Sequence, residues 1–224
     1  MAQYRHEWKH MIDLSDRIAI RQRLRAVARP DGHARDGRYL IRSLYFDTPG
    51  DTALREKLDG VNRREKFRLR CYNGDPSLIH LEKKSKRNGL GSKELTEVSA
   101  AEVRALLEGD LDWMARSGRT LVWELYQKMH TQLLRPRTIV DYIREPFVYA
   151  PGNVRVTIDT DIRTGLSRTD FLDPDCLTVP AGDAPAILEV KWDEYLPEII
   201  RAAVQLPGRR ASAFSKYAAC RIYG

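Results

Sequence analysis

Several stretches of this chain alternate apolar with charged residues at a spacing of two, a pattern that fits strands with one apolar face. Arg5, Glu7 and Lys9 share one face. Lys66, Arg68 and Arg70 share another, with Phe67, Leu69 and Cys71 opposite. His80, Glu82, Lys84 and Lys86 alternate with Ile79 and Leu81. Tyr142 and Arg144 follow Thr138 and Val140. Arg155, Thr157, Asp159 and Asp161 alternate with Val154, Val156, Ile158 and Ile162, and Glu189 and Lys191 with Leu188 and Val190. Residues 39–46 form a further strand, less clearly sided, closed by Asp47-Thr-Pro-Gly.

Helical spacing supplies the rest of an α+β fold. Ser15 is read as the cap of a helix from Asp16 to about Ala28. Ser99-x-x-Glu102 is a capping box ahead of Val103, Leu106 and Leu107. Leu121, Leu125, Met129 and Leu133 mark a helix that stops before Pro136, and Pro197 suits the first turn of another running to about Gln205. These apolar stripes are core-packing faces. Gly-Leu-Gly-Ser-Lys at 89–93 lacks the spacing of a phosphate-binding P-loop and is read as a turn.

Two architectures satisfy this pattern. Either the charged faces look into water around an apolar sandwich core, or the sheet closes with those faces inward and the helices docked outside. A merely solvated face accepts Ser, Thr, Gln and Asn in any mixture, whereas here the same positions are repeatedly Arg, Lys and Glu.

No linker or repeat divides the 224 residues, so 1–224 is read as one domain. A chain of this length buries roughly 70% of its unfolded surface and needs no staple. Cys71, Cys176 and Cys220 are too far apart for a CxxC zinc site or a disulfide framework. The first ten residues lack the apolar stretch of a signal peptide, and no apolar run reaches the ~20 residues of a membrane span. A cytoplasmic protein is expected. The net charge of +7 points to an acidic partner.

With the cationic faces inward, Arg5, Lys9, Arg68, Arg70, Lys84, Arg144, Arg155 and Lys191 would share one cavity. Repulsion and desolvation make this tolerable only with a polyanion inside or carboxylates intermixed. Glu7, Glu82, Asp159 and Glu189 are those carboxylates. They could hold Mg²⁺ or Mn²⁺ against phosphate oxygens, and Glu82 and Asp159 could equally orient Lys and Arg by ion pairing. A tri- or polyphosphate suits such a tube, and a nucleic-acid duplex is too wide. The histidines show no metal-ligand spacing.

Glu7-x-Lys9, Ser43-Leu-Tyr-Phe-Asp-Thr-Pro49, Arg64-Glu-Lys-Phe-Arg-Leu-Arg70, Leu81-Glu-Lys-Lys84, Val154-Arg-Val-Thr-Ile-Asp-Thr-Asp161, Leu188-Glu-Val-Lys191 and Phe214-Ser-Lys216 occur in this order over essentially the whole chain. The set resembles the VTC domain, the polyphosphate polymerase module of the vacuolar transporter chaperone family, within the triphosphate tunnel (CYTH) superfamily. The resemblance implies an eight-stranded antiparallel β tunnel, a closed barrel with a charged interior. It implies a metal-dependent phosphotransferase that moves the ATP γ-phosphoryl group to a polyphosphate chain, with Mn²⁺ or Mg²⁺. By motif, Arg68, Arg70, Lys84, Arg155 and Lys191 would act on the transferring group. Lys9, Lys93, Arg144, Ser215 and Lys216 would bind phosphate. Glu189 would hold the metal, with Glu82 and Asp159 as further ligands. A tunnel phosphohydrolase acting on triphosphate or nucleotide, and a non-catalytic polyphosphate-binding module, are the alternatives. Two departures stand out. Arg5 reduces the superfamily's Glu-x-Glu-x-Lys, and Ala213 replaces a basic residue before the Ser-Lys pair, with Arg209 and Arg210 nearby. Export of product would require a separate membrane partner.

Overall fold

The structure, a computed structural model, describes residues 5–34, 36–88, 90–182, 186–206, 208 and 213–222. The chain opens with β1 (His6–Ile12), α1 (Leu14–Val27), β2 (Arg29–Pro30), β3 (Tyr39–Asp47) and α2 (Thr52–Leu58). A meander of β4 (Arg64–Tyr72), β5 (Asp75–Arg87) and β6 (Leu90–Val98) follows. Next come α3 (Ala100–Glu108), α4 (Asp112–Arg116) and α5 (Thr120–Thr131). The last part holds β7 (Arg135–Tyr149), β8 (Val154–Thr164), β9 (Val179–Pro180), β10 (Ala186–Trp192), α6 (Glu198–Val204) and α7 (Lys216–Cys220). Among the described residues no helix is long and apolar enough to cross a membrane.

Eight strands form one antiparallel sheet in the order β1-β10-β8-β7-β3-β4-β5-β6, with β2 paired to β7 and β9 to β8. The sheet curls so far that Glu7 on β1 lies 3.7 Å from Lys84 on β5. It does not close, which corrects the expected barrel. Its edge strands β1 and β6 share only the Arg5–Gly91 bridge among the described residues.

The apolar sides of the alternation face outward and are sealed by helices. Phe67, Leu69, Cys71, Ile79 and Leu81 pack against Val103, Leu106, Met114, Leu121, Val122 and Leu125 of α3, α4 and α5. A second core sets Val154, Val156, Ile158, Leu188 and Val190 against Ile20 and Leu24 of α1 and Ile200, Ala203 and Val204 of α6. The third cluster is on the concave side, where α7 enters: Tyr217 and Cys220 pack on Tyr39, Ile41, Tyr45, Val140, Tyr142 and Ile187. The four helices read from the sequence dock outside, as expected, whereas α7, which the sequence reading did not include, enters the concave side.

Three local expectations also change. α1 is capped by Asp13, not Ser15, and the Asp13 carboxylate and Asp16 close a capping box. Asp161 sits at φ +48 in an irregular stretch of the β7–β8 pairing, so it is exposed while Ile162 joins the concave cluster. Leu90 to Lys93 belong to strand β6 rather than a turn, and Gly89 lies outside the described residues. β6 escapes detection because it is an edge strand with no apolar face, exposed along most of its length.

Truncating Leu81→Ala, in the outer core and 1% exposed, should cost about 2–5 kcal/mol in urea unfolding. A loss under about 1 kcal/mol would contradict a tightly sealed convex face.

Candidate functional site

The concave face gathers side chains from strands distant in sequence because antiparallel pairing puts directly opposed residues on the same side. Lys66, Arg68 and Arg70 oppose Lys84, Glu82 and His80 across β4–β5. Lys84 in turn opposes Lys93. On the other wall Lys9 opposes Glu189, Glu7 opposes Lys191, and Lys191 opposes Arg155.

Four carboxylates on this face, Glu82, Asp159, Glu189 and Glu7, each pair with more than one cation. Glu82, 1% exposed, accepts from Arg68 at 2.7 Å and from Lys93 at 3.0 Å, with Arg70 3.7 Å away. Burial would disfavour its charge, but Arg68, Arg70 and Lys93 hold its pKa well below the usual carboxylate range. Asp159 accepts both ends of the Arg144 fork, at 2.6 and 2.7 Å, and pairs with Lys216 at 2.6 Å. Glu189 pairs with Lys191 at 2.9 Å and Lys9 at 3.1 Å, with Arg144 3.6 Å away. Glu7 lies 3.3 Å from both Lys9 and Lys191. Burial opposes its ionisation, yet Lys84, Lys9 and Lys191 bring it down to about 2.

Hydroxyls position the remaining guanidinium atoms. Arg68 donates to Tyr45 Oη at 2.7 Å, and Arg70 to Ser43 Oγ at 3.2 Å and Tyr142 Oη at 3.1 Å. Lys216 and Arg144 also stand over the Tyr142 ring, at 4.7 and 5.3 Å from its centroid. Burial would raise the Tyr45 phenol, but Arg68, Lys66 and Arg70 pull it down to about 8. Among the described residues the concave face therefore carries more cations than carboxylates.

The structure thus brings Lys9, Arg68, Arg70, Lys84, Arg144, Lys191 and Lys216 around one cradle. Lys93 reaches it from β6, half-exposed. Arg155 is placed at the rim, donating to Asp31 at 2.7 Å and the Tyr39 hydroxyl at 2.8 Å. Ser215 Oγ accepts from the Ala218 N–H as the cap of α7. Arg5 turns aside to Asp193, 2.8 Å away. Arg209 and Arg210 lie outside the described residues. The three carboxylates read as metal ligands do not form one cluster: Glu82 is on β5 and Glu189 and Asp159 on the opposite wall, and the described residues hold no group of three potential ligands.

Tyr45, Ser43, Tyr39 and Asp31 were not read as site residues, since hydroxyls on a weakly sided strand and a carboxylate in a loop carry no periodic signal. Lys66 is different: it stands on the Arg68–Arg70 face in the sequence itself.

A family model described as the VTC domain matches residues 4–222. No curated protein matches the sequence. Among solved structures the chain is similar to HpAC1 from Hippeastrum, a protein taken for an adenylyl cyclase and described as having a dominant triphosphatase activity. Identity is 14%, coverage 96% of this chain and 94% of that chain, and the TM-score 0.54. It is also similar to a Bacillus halodurans protein described as a candidate adenylate cyclase. There identity is 13%, coverage 84% and 80%, and the TM-score 0.50. At these identities the likeness bears on the fold alone.

The lowered pKa of the Tyr45 phenol is open to direct test. Ultraviolet difference titration should reveal one tyrosinate forming near pH 8, and Tyr45→Phe should delete it. No tyrosinate below the ordinary phenol range would contradict this electrostatic environment.

Proposed function

We propose that this chain, which belongs to the VTC domain family, is a polyphosphate polymerase that transfers the ATP γ-phosphoryl group to the end of a polyphosphate chain lying in the cradle. One observation carries the reading: Arg and Lys side chains from both walls converge on the concave face in excess over the carboxylates that hold them. An excess of buried positive charge is stable only opposite an anion. A chain of phosphates supplies it along the length of the cradle, where a compact anion would meet one wall.

Phosphoryl transfer asks the protein for in-line placement and neutralisation of charge on the transferring group. A terminal oxygen of the polyphosphate chain attacks the γ-phosphorus. The bond from that phosphorus to the β–γ bridging oxygen breaks, and ADP leaves with the electron pair. Arg68 and Arg70 are braced by Glu82, Tyr45, Ser43 and Tyr142, so their forks need no reordering to meet equatorial phosphoryl oxygens. Lys9, Lys84, Lys191 and Lys216 add point charges that can exchange a carboxylate for a phosphate oxygen. Arg144 is fixed by its double bond to Asp159 and sets the position of that wall. Lys93 and Arg155 bind phosphate nearer the openings, and Ser215 holds α7 so that Lys216 points inward.

The donor set also fits one divalent cation. Glu189 and Glu7 lie on paired strands, share Lys9 and Lys191, and are both kept ionised by them. They would hold Mn²⁺ or Mg²⁺ together with phosphate oxygens, which is the usual carboxylate complement of such an ion beside a nucleotide. The ion would supply charge neutralisation on the phosphates. Glu82 and Asp159 are committed to their Arg and Lys partners and serve as anchors.

Incubation with ATP and Mn²⁺ should yield ADP and long polyphosphate. Orthophosphate as the product would favour a hydrolase, and no turnover with retained tripolyphosphate binding a binding module. Arg70→Ala should lower turnover by about 10²–10³, as removal of one transition-state donor does elsewhere. Glu189→Ala should abolish metal-dependent turnover, and intact turnover would overturn the metal assignment. Tripolyphosphate at a hundredfold excess over its Kd should add ~2.7 kcal/mol of stability, more than sulfate at matched ionic strength. Equal shifts would mean a generic basic surface.

A further inference from the structure

Lys66 differs from the other cations that line the cradle. Arg68, Arg70, Lys84, Lys93, Lys9, Lys191, Arg144 and Lys216 each have a carboxylate within ion-pair distance. Among the described residues none lies within that distance of Lys66, which stands instead over the face of Tyr45, 5.4 Å from Nζ to the ring centroid. Its register partner is Lys84, another cation. Lys9 of β1, Lys57 of α2 and Arg68 of its own strand add further positive charge, which Tyr45 of β3 partly offsets; Glu82 and Glu7, on the same face, are engaged by Arg68 and Lys84. The Tyr45 hydroxyl is itself taken by Arg68 at 2.7 Å, and its ring is stacked on Tyr217 of α7 at 4.9 Å. A half-buried ammonium on an apolar ring with only cations around it is a local cost to folding.

We infer that Lys66 is a phosphate-binding residue whose counter-charge is brought by the ligand, so that capture of a polyanion in the cradle is coupled to uptake of a proton at the Lys66–Tyr45 pair. The inference deepens the polyphosphate reading and rests on it. The coupling follows from charge. Burial, outweighing the help from Tyr45, pulls the free Lys66 down to about 8, with Arg68, Lys9 and Lys57 adding to the fall. A phosphate beside it restores the charged form. The same phosphate opposes ionisation of Tyr45, so both groups gain proton occupancy in the same direction. Binding that takes up protons weakens as pH rises through the free-state values. Near neutral pH the lysine is already charged and the ligand meets a ready partner. Above pH 8 it must first be protonated.

Two consequences separate this role from a structural one. First, Lys66→Met keeps the aliphatic stem over the Tyr45 ring and removes the unpaired charge. The variant should therefore melt at the same temperature as the parent or higher, while binding tripolyphosphate about tenfold more weakly at pH 7, the scale of one charge-assisted contact. Second, the gap between parent and variant should shrink as pH rises from 7 to about 9, because the parent loses its own Lys66 charge over that interval. Isothermal titration of tripolyphosphate into both proteins, at matched ionic strength across that range, reads both. Repeating the parent titration near pH 8 in two buffers of different ionisation heat counts the protons directly. The Lys66→Met protein should take up fewer than the parent, a difference from which the ligand's own protonation cancels. If Lys66→Met does not fold, Lys66→Gln takes its place in the affinity comparison and in the two-buffer proton count. Equal affinities for parent and variant at pH 7, a gap that does not change with pH, or a proton uptake near pH 8 no larger in the parent than in the variant would each overturn the inference while leaving tripolyphosphate binding intact. Failure of the parent to bind tripolyphosphate at all would instead overturn the polyphosphate reading, and this coupling with it.

Discussion

Glu82, Asp159 and Glu189 keep a crowd of like charges in a shared space, and everything the concave face can do depends on them. Each is almost inaccessible, and each is divided between cations from more than one element. Buried ion pairs of this kind add little net stability, because desolvation of both partners offsets their attraction. Removing one partner is another matter, since it strands a charge in low dielectric. The pairs are therefore best understood as spacing devices. They hold Arg68, Arg70, Arg144 and the lysines at fixed positions before any ligand arrives, which is preorganisation in the electrostatic sense.

Stability has to come from elsewhere, and the convex side supplies it. Two apolar cores, one under α3 to α5 and one under α1 and α6, cover the outer faces of opposite walls. Each wall is thus held by its own helices, and the concave side is relieved of any need to be apolar. The third cluster, around Tyr217 and Cys220, is where that separation ends. Tyr217 donates to buried Asp47 at 2.6 Å, and Asp47 also accepts from the N–H groups of Ala53 and Leu54 at the start of α2. This clasp docks the short α7 inside the curl and brings Lys216 to Asp159. At the open seam between β1 and β6, the Arg5–Gly91 bridge alone joins the two edges among the described residues.

Much of this was readable in one dimension. A period of two with charge on one side predicts a strand with a charged face, and the residues named from that pattern, from Lys9 through Arg70 to Lys191, do meet in space. The capping box at Ser99 and the helix beginning after Pro197 were legible for equally local reasons, since a cap or a proline acts on its own first turn. β6 was not legible, because an edge strand bathed in solvent has no apolar rhythm to betray it. The division of labour among the carboxylates was also hidden: Glu82, Asp159 and Glu189 look alike in sequence, and only the residue placed opposite on the neighbouring strand, Arg68 for Glu82 and Arg144 for Asp159, decides which of them is saturated by guanidinium.

Sequence alone determined the sidedness of the strands and the surplus of positive charge on one side, because alternation is a property of the covalent chain and of backbone geometry. Only tertiary structure decided that the sheet curls without closing, that α7 turns inward, and that Lys66 is left with an aromatic ring where its neighbours have carboxylates. Those outcomes depend on which residues face each other across strands far apart in the chain. Such distances are set by packing of the whole and are written in no single segment.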